Sequence, residues 1–212
     1  MDAEFWHQKW QNNEIGFHQN TVNPFLLRYF ETLSLEPGQA IFLPLCGKTL
    51  DIGWLLSKSY QVIGIELHEP AVKALFEQLA LVPEISRTNK HIKYSYDRLT
   101  IFVGDIFDLS VSDMCNVDAV YDRAALVALP KALRADYVKQ IQLITNKAPQ
   151  LIVNYEYDHT LMTGPPFSVP NDEIELHFQD SYLLKQLYSG KVEGGMKGKI
   201  PAEENVWLLN RK

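Results

Sequence analysis

Glu66 ends an apolar run, Tyr60 to Glu66 (YQVIGIE), that reads as a strand. An acidic residue at such a strand end can accept hydrogen bonds from both hydroxyls of a ribose and repels a 2′-phosphate. The competing reading is a surface carboxylate. One strand earlier, Leu45-Cys46-Gly47-Lys48-Thr49 follows the run Gln39 to Leu45. Gly47 lets a backbone approach a ligand closely, and the helix expected from Thr49 offers unpaired N–H groups to a carboxylate. An ordinary strand-to-helix turn explains the segment equally well. Asp105 and Ile106 follow the strand Leu99 to Val103. Asp105 can reach an adenine amine with Ile106 against the ring, or the segment is a turn with a helix cap at Asp108. Asp122-Arg123 closes the strand Val117 to Tyr121. Arg123 can meet a carboxylate or a partly anionic substrate, or pair with Asp122 or Asp118. Trp6 and Trp10 lie one helical turn apart, with Phe5, Phe17 and His18 nearby. Indole faces attract a sulfonium as they attract ammonium. Spacing alone favours a helix with its tryptophans buried in the core.

The elements that must position these residues alternate between short apolar runs and amphipathic stretches, which gives an α/β fold with a mainly parallel sheet. Helices are expected over Thr49 to Lys58, from Pro70 to about Leu81 with Pro83 as the stop, over Pro130 to Asn146, and over Asp172 to Phe178. Leu151 to Tyr155 is a fifth central strand. Pro83 to Arg98 is a polar loop with one short strand at His91 to Tyr96. Tyr182 to Tyr188 and Asn205 to Asn210 pair as a late antiparallel hairpin around a flexible loop, Gly190 to Gly198. Thr163 to Pro170 is a Pro-rich loop.

The 212 residues suit one domain, and the 46% hydrophobic and 22% charged shares are those of a globular protein. A net charge of -6 without a Lys/Arg run argues against a nucleic-acid partner. The two cysteines make no disulfide framework, and no Cys/His spacing reads as a metal site. Neither a signal peptide nor a membrane span is expected, which points to the cytoplasm, and the lack of an apolar surface stripe points to a monomer. The G-x-G-x-x-G fingerprint is missing, which weighs against an NAD-dependent oxidoreductase. A non-catalytic binder on the same fold is the other alternative.

Taken together, Phe5 to His18 (FWHQKWQNNEIGFH), Phe42 to Thr49 (FLPLCGKT), Val62 to Leu67 (VIGIEL), Gly104 to Leu109 (GDIFDL), Val117 to Leu129 (VDAVYDRAALVAL) and Gly164 to Pro170 (GPPFSVP) resemble the bacterial thiopurine S-methyltransferases. The resemblance implies a Rossmann-like class I methyltransferase fold, with a mostly parallel seven-stranded sheet, an antiparallel late strand and helices on both faces. It implies S-adenosyl-L-methionine as cofactor, and a small-molecule thiol, thiopurine or other aromatic or heterocyclic, as acceptor. Selenium or tellurium compounds are a further acceptor class. Trp10, Leu45, Glu66 and Arg123 match the family's cofactor-contacting residues, joined by Trp6, Gly47, Asp105 and Ile106. Phe17 matches a residue at the boundary of cofactor and substrate. Arg123 also matches a residue that orients the substrate electrostatically. Residues 1–20 resemble a lid over the cofactor.

Overall fold

The computed structural model describes residues 3–212, so the first two positions of the expected lid lie outside it. Nine strands among the described residues form one sheet in the order β3-β4-β5-β2-β1-β6-β7-β9-β8. The centre is built from β1 (Ala40–Leu43), β2 (Gln61–Glu66), β5 (Leu99–Val103), β6 (Ala119–Arg123) and β7 (Gln150–Tyr157). Neighbours within this group all pair in parallel. Every residue of β1 (AIFL) is buried, because a central parallel strand is covered on both faces.

The late strands β8 (Tyr182–Lys191) and β9 (Ala202–Arg211) form the expected antiparallel hairpin, and β9 pairs antiparallel with β7. These seven strands are the expected set. Two more extend the opposite edge: β3 (Glu84–Arg87) and β4 (Ile92–Tyr96) form a hairpin that pairs antiparallel with β5. Only β4 was expected there. All four residues of β3 are exposed, so no buried face imposes the alternation by which a strand is read.

The helices are α1 (Ala3–Gln11), α2 (Pro24–Tyr29), α3 (Leu50–Ser57), α4 (Glu69–Gln78), α5 (Lys131–Ile144) and α6 (Asn171–Phe178). One apolar layer joins α2, α3 and α4 to one sheet face, and a second joins α5 and α6 to the other. Helix α4 ends before Pro83 is reached, where Ala80 turns left-handed at φ 53°. Strand β6 starts two residues later than expected because Asp118 is engaged by Ala40: its N–H donates to the Ala40 carbonyl and its carboxylate accepts the Ala40 N–H, both at 2.8 Å. Asp122 and Arg123 are therefore the last residues of β6. Gly190 to Gly198 begins inside β8 and continues as a turn held by Met196 N–H on the Ile200 carbonyl.

Candidate functional site

The chain runs outward from β1 through β2 to β5, then crosses back to place β6 on the other side of β1. Strand order reverses between β1 and β6, and a crevice opens beyond their carboxyl ends, as this topology requires. It is lined by Leu45, Gly47, Asp51, Tyr121 and Arg123 below and by Trp10, Phe17 and His18 above. Leu45 (φ 47°) and Ala124 (φ 67°) line it in the left-handed region, where a side chain costs about 1–2 kcal/mol. Such strain collects where a site needs a particular backbone path.

Glu66 lies beneath the crevice floor, 6% exposed. Its Oε2 accepts the Gly47 N–H and its Oε1 the His68 N–H, both at 2.8 Å. The carboxylate thus ties the turn after β1 to the turn after β2. Burial pushes its carboxyl up, and the N–H donors of His68, Gly47 and Leu67 pull it back. The surface-carboxylate reading is corrected.

None of the residues of α1 is fully buried, so the expectation of a core helix with buried tryptophans is also corrected. The aromatic face of α1 docks on the crevice instead. The Trp10 ring stacks on His68 at 5.7 Å and 4°. A Cβ added to Gly47 would stand 3.1 Å from the Trp10 indole, so only glycine fits under it without a shift. Phe17 meets Trp6 and Trp10 edge-on at 5.8 and 5.3 Å. His7 Nδ1 lies 3.0 Å from His68 Nδ1. Closed in this way, the crevice keeps about 30 Å³ of solvent-accessible space, room for a water or two.

Arg123 does not pair with Asp122 or Asp118. Its Nη1 donates to the Phe17 carbonyl at 2.7 Å, which joins β6 to the aromatic segment. Asp122 turns the other way and accepts the Tyr137 hydroxyl at 2.6 Å and the Leu126 N–H at 3.0 Å. One bond falls on each of its oxygens, and Asp122 does not line the crevice. His18 stands beside Lys48 and Arg123, and burial followed by those two cations holds its ring below the usual histidine range.

Beyond β5, Asp105, not Asp108, caps a short 3-10 turn, Ile106–Asp108, by accepting the Phe107 N–H at 3.0 Å. Ile106 is 0% exposed and packs in the core. Trp10, Phe17, Leu45, Gly47 and Arg123 share one crevice, with Glu66 under it and Trp6 reached through Phe17. Asp105 and Ile106 stand at the neighbouring strand end, linked through the Gly104 N–H on the Glu66 carbonyl at 3.0 Å. Asp51, outside the quoted stretches, and Tyr121, inside Val117 to Leu129 but not among the expected site residues, line the same crevice.

Among the described residues, no helix is long and apolar enough to cross a membrane, and no group of three or more His, Cys, Asp or Glu is arranged to hold a metal.

A family model described as thiopurine S-methyltransferase matches residues 1–212. The thiopurine S-methyltransferase of Xanthobacter autotrophicus is 47% identical over 212 residues, covering all of both chains. That of Teredinibacter turnerae is 46% identical, covering 100% of this chain and 98% of its own. Among solved structures, the 1,6-didemethyltoxoflavin-N1-methyltransferase of Burkholderia thailandensis, with 1,6-didemethyltoxoflavin and S-adenosylhomocysteine bound, aligns at a TM-score of 0.67 and 12% identity. It covers 98% of this chain and 87% of its own. A TehB-like SAM-dependent methyltransferase from Corynebacterium glutamicum aligns at 0.58 and 14% identity, covering 99% and 98%. These likenesses establish the fold as that of a class I methyltransferase.

Proposed function

Since the chain belongs to the thiopurine S-methyltransferase family and is an S-adenosylmethionine-dependent methyltransferase, we propose that it methylates the sulfur of thiopurines and of other aromatic or heterocyclic thiols. Selenium and tellurium compounds offer the same kind of nucleophile and form the second acceptor class. Residues 1–212 act as one methyltransferase domain in which the N-terminal segment 1–20 is a lid. The observation that carries this reading is the assembly of Glu66, Gly47 and Trp10 at the switch point. A dinucleotide oxidoreductase, conceivable from Glu66 alone, falls away with family membership.

The residues suit the donor. Glu66 has lone pairs to spare beyond its two backbone N–H bonds, and these suit sugar hydroxyls. The Tyr121 hydroxyl is buried without a hydrogen-bond partner. Bound there, S-adenosylmethionine supplies an electrophilic methyl group on a sulfonium. Trp10, backed by Trp6 and Phe17, presents indole faces to positive charge and excludes water once closed. Trp10 and Phe17 roof the crevice and Arg123 is tied to the Phe17 carbonyl, so in this reading α1 swings aside for loading. That motion frees Arg123 from the Phe17 carbonyl, leaving its N–H groups to steady a thiolate. Aromatic thiols are partly ionised near neutrality, so positioning dominates and no strong base is required.

The test is transfer of labelled methyl to a panel of aromatic thiols, and to selenite and tellurite reduced beforehand to the selenide and telluride level, with tryptophan quenching by S-adenosylhomocysteine and by NAD as the binding control. Labelled thioether and quenching by S-adenosylhomocysteine alone are expected. A panel in which no thiol takes up label rejects the acceptor class.

A further inference from the structure

Asp51 lies in the first turn of α3 on the inner wall of the crevice, 1% exposed. Its Oδ1 accepts the Asn23 backbone N–H at 2.8 Å. A buried carboxylate is costly unless it is matched. The match here is partial: burial holds the carboxyl above its usual range, against the Asn23 N–H, the positive charge of Arg123 and the neighbouring Thr49 and Tyr121 hydroxyls.

Tyr121 of β6 is on the same wall, 2% exposed. Its hydroxyl is enclosed, makes no hydrogen bond of good geometry, and stands against the Asp51 carboxylate and near the Arg123 charge. An unpaired buried hydroxyl is expensive, so one in a crevice points to a missing polar group. Arg123 stands two residues further along β6, on the same side of the strand, with only Nη1 committed, to Phe17.

The wall therefore offers a carboxylate oxygen, an unpaired hydroxyl and a guanidinium. One cationic and one anionic group side by side would satisfy all three, and an α-amino acid zwitterion has that form. We propose that Asp51 receives the α-ammonium of the amino-acid end of S-adenosylmethionine, with Tyr121 and the uncommitted N–H groups of Arg123 directed to its α-carboxylate, the Nη1 group released from Phe17 being left for the thiolate. This rests on the crevice being the donor site and deepens that reading by orienting the donor within it. The competing role for Asp51 is to hold α2 through the Asn23 N–H. Asp51→Asn separates the two, because an amide oxygen can keep that bond while the negative charge is lost.

The experiment is titration of wild type and Asp51→Asn with S-adenosylhomocysteine and with its counterpart lacking the α-amino group. Wild type should prefer S-adenosylhomocysteine by about tenfold or more, the worth of a charge-assisted hydrogen bond. Asp51→Asn should bring that preference within about threefold and leave the deamino ligand unaffected. An unchanged preference, or equal loss on both ligands, overturns the proposal. Glu66→Gln, titrated alongside, should weaken both ligands alike. If it does so while the Asp51 ratio stays at the wild-type value, the donor site stands and only the ammonium assignment falls. Wild type binding neither ligand rejects both. Should Asp51→Asn fail to fold, wild-type crystals grown with S-adenosylhomocysteine decide. An α-nitrogen within about 3.2 Å of Asp51 supports the proposal, and one held by main-chain carbonyls alone overturns it.

Discussion

At the scale of single residues, Glu66 does two jobs that must be separated. Each of its oxygens accepts one backbone N–H, from Gly47 and from His68. In Glu66→Gln one oxygen becomes an amide NH₂ facing an N–H, so an acceptor is lost and two donors meet. We expect a stability loss of about 1–3 kcal/mol and an affinity for S-adenosylhomocysteine lower by about tenfold or more. Urea unfolding and calorimetric titration measure the two effects. A variant less stable but with wild-type affinity would make Glu66 a tie between loops and nothing more. The importance of Glu66 was legible in the sequence, because the end of an apolar run marks a strand end and strand ends border the crevice. The two N–H bonds were not, since they depend on how two turns approach each other in space. Asp51 and Tyr121 stayed hidden for a related reason. A side chain one turn into a helix, or two residues before a strand end, faces a cleft only once the packing of neighbouring elements is fixed.

Among the elements, the lid and its histidines set a pH dependence. His68 receives α1 through the Trp10 stack and the His7 ring, and burial, followed by His7, pushes its pKa down. His18 faces Lys48 and Arg123 and is lowered by burial and by those cations. In the closed state both rings are therefore neutral at pH values where the open state, near the free value of about 6.5, begins to take up protons. Protons thus favour opening, and closure strengthens as pH rises through that window. An NMR titration of the Trp10 indole N–H should show the lid releasing below about pH 6.5. The double variant His18→Gln and His68→Gln should flatten the transition. A wild-type lid that stays shut to pH 5.5, about one unit below the free histidine value, refutes the linkage. Here the sequence misleads in an instructive way. A Trp-rich amphipathic turn looks the same whether its apolar face meets a core layer or a cleft, and only the position of α1 over the strand ends distinguishes them.

Across the whole molecule, the parallel centre was readable because strands buried on both faces are continuous apolar runs, whereas the exposed β3 left no such trace. Equally invisible was what joins the layer of α5 and α6 to the Pro-rich loop. That loop is pinned through the Phe167 N–H on the Val127 carbonyl, the Val169 N–H on the Tyr155 carbonyl and the Tyr157 hydroxyl on the Pro166 carbonyl. Behind it, Arg134 of α5 and Glu173 of α6 form an ion pair at 2.9 Å, only 2% and 7% exposed. Arg134 Nε also donates to the Leu129 carbonyl, and its guanidinium lies over the Phe167 ring at 5.9 Å. One charge pair thus joins α5, α6, the turn after β6 and the Pro-rich loop. Taking two charges out of water offsets most of their attraction, so the pair as a whole contributes little net stability. Removing one partner is different, because it leaves a buried charge with only a weaker contact, Arg134 with the Leu129 carbonyl or Glu173 with the His177 ring at 3.3 Å. Glu173→Gln and Arg134→Met should each cost about 3–5 kcal/mol, while Arg134→Met combined with Glu173→Leu should cost less than either alone. Urea midpoints at unchanged slope read all three. Single losses below about 1 kcal/mol, or a double variant that sums them, would show that the pair is solvated and does not join the layers.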